Sequence, residues 1–154
     1  MGEGYAHLAL LKHIRNIYAG ADADCGMTLA NARGQGARHV ITHAVRAARN
    51  GSYDRVAAFL NPASDWNESV QKLARAKKIS VLFSRPCLEA PLLHIHGDAP
   101  QRTADECRRE FKARFGSDVH DADVLQQFFQ RSILDDACSR VALLQELLAL
   151  VNAR

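Results

Sequence analysis

The apolar pattern of this chain predicts an α/β fold: a small, mainly parallel sheet flanked by helices, with an α-helical C-terminal extension. Three observations carry this. Two short continuous apolar runs, Val56–Leu60 and Ile79–Phe83, read as strands buried on both faces. Stretches with apolar residues at helical spacing alternate with them. After Gly97 only helical patterns follow. Strands alternating with helices favour a parallel sheet with helices on its faces.

Each element follows from a local signal. Tyr5–Tyr18 carries Leu8, Leu11, Ile14, Ile17 and Tyr18 at helical spacing. Residues 27–30 form a short apolar piece, read as a strand, and Gly34-Gln35-Gly36 reads as a turn. Ala37–Asn50 presents Val40, Ile41, Ala44, Val45 and Ala48 on one face and stops at Asn50-Gly51. The loop Asn61-Pro62-Ala63-Ser64-Asp65 offers Ser64 or Asp65 as the cap of a helix over 66–77. A helix over 86–96 follows the second strand. The tail reads as helices over 103–115, 121–130 and 136–151, the first opened by a Thr103/Glu106 capping box. The segment 97–102 divides a unit over 1–97 from an extension over 98–154 that packs on the same domain.

A chain of 154 residues with 47% hydrophobic and 24% charged residues can bury a proper core. No apolar run reaches the ~20 residues of a membrane helix, so no membrane partner is expected. The N-terminus lacks the pattern of a secretory signal. Cys25, Cys87, Cys107 and Cys138 are scattered without CxxC spacing, which predicts reduced thiols and a cytoplasmic location.

The net charge of +3 is too small to argue for nucleic acid alone. Its distribution says more. Arg33, Arg38, Arg46, Arg49, Arg55, Lys72, Arg75, Lys77, Lys78 and Arg85 precede the region after Asp98 where acidic residues gather. Arg33, Arg38, Arg46 and Arg85 are the candidate phosphate contacts, set against the plain reading of a solvated basic face.

Ligands of parallel sheets bind beyond the carboxyl ends of the strands. That rim collects Glu3, the Asn61 loop and the Ser84–Glu89 turn, where Pro86 ends a buried strand and Glu89 stands near a helix start. Only Met1 and Gly2 precede Glu3, so a first strand is missing or nearly so. Other groupings favour plain structural readings. His39 and His43 stand at i, i+4 without a third ligand. His94 and His96 with His120 could form a metal cluster, set against the favoured reading of satisfied surface or half-buried histidines. Cys87 has no obvious base, and Gly34-Gln35-Gly36 lacks both a third glycine and a P-loop lysine. In the last helix Val141, Leu144, Leu147, Leu148 and Val151 share one face. Core packing is set there against a homodimer or protein-partner surface.

Four motifs in this order resemble a known family: Glu3-Gly4 before a helix; Gly34-Gln35-Gly36 before a second; Tyr53-Asp54 before the strand ending at Leu60; and Ser84-Arg85-Pro86-Cys87-Leu88-Glu89 before Leu92-Leu93-His94. Over residues 1–97 the chain resembles the TOPRIM-type domain of RloB-like proteins, which are allied to overcoming-lysogenization-defect nucleases. The resemblance implies a glutamate and an Asp-x-Asp pair holding Mg²⁺ for phosphoryl transfer. Glu3 matches the glutamate. Asn61 and Ala63 stand where the aspartates belong, and Asp65 follows two residues late.

The expectation is therefore a degenerate, non-catalytic TOPRIM-like protein without cofactor, in a phage-defence or mobile-element setting, binding nucleic acid or a protein partner. The alternatives are a Mg²⁺-dependent nuclease with catalytic Glu3, Asp65 and Glu89 and metal ligands Glu3, Asn61 and Asp65, or a purely structural interaction module.

Overall fold

The structure, a computed structural model, describes residues 1–19, 27–61, 65–98 and 102–152. Its elements are α1 (Tyr5–Tyr18), α2 (Ala37–Asn50), β1 (Val56–Leu60), α3 (Glu68–Ala76), β2 (Ile79–Phe83), α4 (Glu89–Ile95), α5 (Ala104–Phe115), α6 (Ala122–Phe128), α7 (Arg131–Ala137) and α8 (Ala142–Asn152). β1 and β2 pair in parallel from Val56 opposite Ile79 to Leu60 opposite Phe83.

The first strand, expected to be nearly absent, survives as a three-residue stub in a central position. Gly2 N–H donates to Ala30 O at 2.9 Å, and Gly2 O accepts from Ala32 N at 2.9 Å. On the other side Glu3 N–H donates to Phe59 O at 2.9 Å, and Phe59 N–H to Met1 O at 2.8 Å. Residues 1–3 thus lie between the 30–32 segment and β1. The piece read as a strand over 27–30 does not form one; the parallel residue pair made here, Asn31 with Gly2, lies just beyond it. Gly2 is buried under α1, where a Cβ would stand 3.2 Å from Leu8 N and 3.3 Å from His7 Cβ. The chain turns into α1 so abruptly that only glycine fits there without displacing backbone.

Pleating divides the apolar residues between two sides. Ala58 and Leu60 of β1 face a layer made by α2 and α3; Phe59 and Leu82 face α1 and α4–α8. Helices α1, α2 and α8 bury the i, i+3, i+4, i+7 sets His7/Leu10/Leu11/Ile14, Ala37/Val40/Ile41/Ala44 and Leu144/Leu147/Leu148/Val151. In α1 this corrects the sequence reading: His7 and Leu10 are buried, while Leu8, Ile17 and Tyr18 are half-buried.

Three helix limits also differ from expectation. Asn67, not Ser64 or Asp65, caps α3: its side chain accepts from Val70 N at 3.1 Å, and the helix starts at Glu68. α4 begins only at Glu89. The helix expected over 136–151 is broken, because Arg140 reaches back to donate to Ile95 O at 2.9 Å while holding Asp136 at 3.0 Å. A tertiary bond to the end of α4 thus overrides local propensity. The Thr103/Glu106 capping box on α5 forms as read.

The α8 stripe weighed as a partner surface is buried inside the chain's own core, with Val141, Leu144, Leu147, Leu148 and Val151 all buried. Among the described residues no helix is long and apolar enough to cross a membrane.

Candidate functional site

At the carboxyl rim of the sheet four side chains join into one polar cluster. Glu3 Oε2 accepts from Asn61 N at 2.7 Å. The Asn61 side chain turns inward, and its Oδ1 accepts from Ser84 Oγ at 2.6 Å. Ser84 Oγ lies 3.2 Å from His7 Nε2. The His7 ring stands edge-on to Phe59 with centroids 4.7 Å apart. His7 and Ser84 are the buried polar side chains among the described residues.

Proton counting orients the chain. A serine hydroxyl has one proton, and Ser84 gives it to Asn61, so its oxygen accepts from His7 Nε2–H. Burial lowers the His7 pKa to about 4, while a hydrogen bond to the Asn61 side chain acts the other way. His7 is therefore a neutral donor near pH 7. A serine nucleophile needs the reverse polarity, with its proton directed at an unprotonated imidazole nitrogen. Together with the complete burial of Ser84, this makes the pair a structural clamp joining α1 to β1 and β2.

Asp65 stands close to Asn61 in sequence but serves α2. Its Oδ1 accepts from Ala37 N at 3.0 Å and its Oδ2 from Arg38 N at 3.1 Å. These two backbone amides, Ala37 first, hold its carboxyl below the usual range. The contact explains Gly36, whose φ is +88° and whose missing Cβ would lie 2.7 Å from Asp65 Oδ2. Glu89 sits against α5: its carboxylate lies 4.0 Å from Arg108 Nε. It also lies beside the Cys87 thiol, which burial and this neighbour push up to about 12. That shift is opposite to what a reactive thiolate requires.

The donor set can be tested against Mg²⁺. The ion demands near-octahedral oxygen ligands and is usually held by carboxylates. Both Asp65 oxygens accept from backbone amides at the start of α2, which directs that carboxylate away from Glu3 and Asn61; Asn61 Oδ1 accepts from Ser84 Oγ, and one Glu3 oxygen from the Asn61 amide. Glu3 and Asn61 are brought together, Asp65 is directed to a helix end, and Glu89 is engaged elsewhere. Ala63 lies outside the described residues. Among the described residues no three His, Cys, Asp or Glu side chains group as metal ligands. These residues do not fit a Mg²⁺ centre.

The remaining groupings have structural explanations. The His39 and His43 rings lie 5.6 Å apart on the outer side of α2. His96 Nε2 is 2.7 Å from Phe128 O. Cys87, Cys107 and Cys138 are free thiols, and Cys25 lies outside the described residues.

The candidate phosphate contacts are exposed. Arg33, Arg38 and Arg46 lie on α2 or the loop before it, and Arg85 lies with its guanidinium 4.8 Å from the Phe83 ring centroid. Sequence reasoning missed His7 and Ser84 as partners. A signal existed for His7: it stands three and four residues before Leu10 and Leu11, on the buried stripe, where a polar group needs a partner.

No family model, curated protein or solved structure matches the chain.

Proposed function

We propose that this chain is a non-catalytic nucleic-acid-binding protein, a degenerate TOPRIM-like domain that meets phosphates through its α2–α3 layer. The supporting observation is the charge of that layer. In described residues 27–61 and 65–85 the acidic side chains are Asp54, Asp65 and Glu68, against every basic residue from Arg33 to Arg85 named above. Asp65 caps α2, and Glu68 pairs with Lys72 at 2.8 Å. α2 itself carries no acidic residue, and Arg38, Arg46 and Arg49 are exposed along it. Backbone phosphates are the natural counter-charge for such a face.

The separation of Asp65, held at the start of α2, and of Glu89, held beside Arg108, from Glu3 and Asn61 supports the non-catalytic part of the reading over a Mg²⁺-dependent nuclease. Burial of the α8 stripe argues against a dimer through that helix.

Fluorescence anisotropy with a labelled oligonucleotide tests the reading. Binding should weaken with salt in proportion to the phosphates neutralised. The triple variant Arg38→Glu/Arg46→Glu/Arg49→Glu should lose at least tenfold in affinity. Absence of binding at low salt, or cleavage with Mg²⁺ or Mn²⁺ that Glu3→Ala abolishes, would refute it.

A further inference from the structure

Tyr5, 72% exposed, is the most exposed large apolar side chain among the described residues. Its position is set by the rim. Tyr5 opens α1 directly after Glu3-Gly4, and Glu3 is bonded to β1 through Phe59 O. The loop before α2 is joined to the same point, because Gly34 N–H donates to Glu3 O at 2.7 Å. That bond sets the loop carrying exposed Arg33 against Glu3, two residues before Tyr5 in the chain.

Arg33 is unusual in its backbone. Its φ of +61° lies in the left-handed region that side-chain-bearing residues disfavour. Two bonds hold the loop there: Arg33 N–H to Asn31 Oδ1 at 2.8 Å, and the Gly34 bond to Glu3. A held outlier of this kind, carrying an exposed guanidinium, points toward use at a binding surface.

Tyr5 also lines a groove of about 430 Å³ between α1 and α6. Leu8 and Leu125 give it apolar walls, and Lys12, Asn16 and Gln126 bring an ammonium and two amides to it. Aromatic ring, apolar walls, amide groups and the Lys12 ammonium match the parts of an unpaired nucleotide. A base stacks on the ring, its edge meets donors and acceptors, and its phosphates meet cations. A base inside a duplex is stacked on its neighbours and has no face to offer Tyr5.

We propose that the preferred ligand is a single-stranded nucleic acid, with one unpaired base stacked on Tyr5 in the α1–α6 groove and its backbone passing Arg33 onto α2. This rests on the nucleic-acid reading above and deepens it.

Anisotropy with a labelled 12-mer of deoxythymidine, a 12-mer of uridine and a mixed-sequence 12-base-pair duplex separates the two. Tyr5→Ala should weaken single-strand binding about tenfold and leave duplex binding unchanged. Tyr5→Phe should restore it, since the ring and not the hydroxyl does the stacking. Arg33→Ala should weaken single-strand binding and flatten its salt dependence. The two single strands tell DNA from RNA preference, and tighter binding of either than of the duplex supports the proposal. Equal binding of strand and duplex with no effect of Tyr5→Ala overturns the stacking site and leaves the nucleic-acid reading standing. No binding of any probe overturns both.

Discussion

The two layers packed against the sheet are built from different side chains. The α1/α4–α8 side buries Phe59, Phe111, Phe115 and Phe129 among leucines; the α2–α3 side buries Ala32, Ala37, Ala44, Ala58 and Ala74 with Val40, Ile41, Leu60, Val70 and Ile79. Their surfaces differ as well. The first carries ion pairs such as Arg102 with Glu110 and Arg131 with Asp135, whereas the second is basic with little to balance it. Burial of large side chains scales with the area removed from water. The aromatic layer therefore supplies most of the cohesion, and the thin alanine-rich layer carries exposed, mutually repelling arginines on α2. A face of like charge costs stability and gains from a polyanion.

The largest expected effect breaks this asymmetry directly. Phe129 is fully buried, and its ring is 5.4 Å from Phe115 and 5.0 Å from His96 between centroids. Phe129→Ala should cost about 3–5 kcal/mol, and the matching truncation in the thin layer, Ile41→Ala, should fall at the low end of about 2–5 kcal/mol. Urea denaturation measures both. Similar values for the two variants would mean that cohesion is shared evenly and the comparison is mistaken.

The next effect acts at the seam between the layers. A histidine in the unfolded chain takes a proton near pH 6.5, and folded His7 only near 4. Between these values the unfolded state binds more protons. Stability is therefore highest above pH 6.5, falls as the pH drops through the window, and has lost the His7 share below 4. The separation corresponds to roughly 3 kcal/mol. His7→Gln, which keeps a donor for Ser84, should flatten the slope of stability between pH 6.5 and 4 measured by chemical denaturation. An unchanged slope would place the acid sensitivity elsewhere.

What was legible in the sequence follows the same division between near and far. The limits of α1, α2, β1 and β2 could be read because apolar periodicity is a property of consecutive residues. The break between α7 and α8 could not, since it depends on Arg140 reaching Ile95, 45 residues away. The coarse α/β class was readable from the alternation of strands and helices; the central place of residues 1–3 was not, because a three-residue stub has no periodicity. At the rim Glu3 and Asn61 were found by position alone. The His7–Ser84 contact spans 77 residues, and the Asp65 bond to Ala37 spans 28. Nothing local marks either one, apart from a histidine on an apolar stripe.

Asp65 gives the smallest effect and the sharpest test of the basic layer. A carboxylate accepting two amides at the start of α2 works as a cap supplied from a distant loop, and loss of a cap costs about 1 kcal/mol. Asp65→Ala should show that loss by thermal denaturation above pH 5. Because its folded pKa lies below the unfolded value, its contribution is present above about pH 4 and disappears as the pH falls through the folded pKa, below the window in which His7 acts. The same variant separates cap from metal ligand. If the amides of Ala37 and Arg38 are the true partners, millimolar Mg²⁺ leaves the melting temperature of the unaltered protein and of Asp65→Ala equally unmoved. A Mg²⁺-dependent rise in the former that the variant lacks would return Asp65 to a metal site. Removing this charge also makes the α2–α3 layer more basic, so oligonucleotide binding should hold or tighten while stability falls. Opposite responses of stability and binding are what a layer shaped by its ligand's charge should give, and what a merely solvated basic face should not.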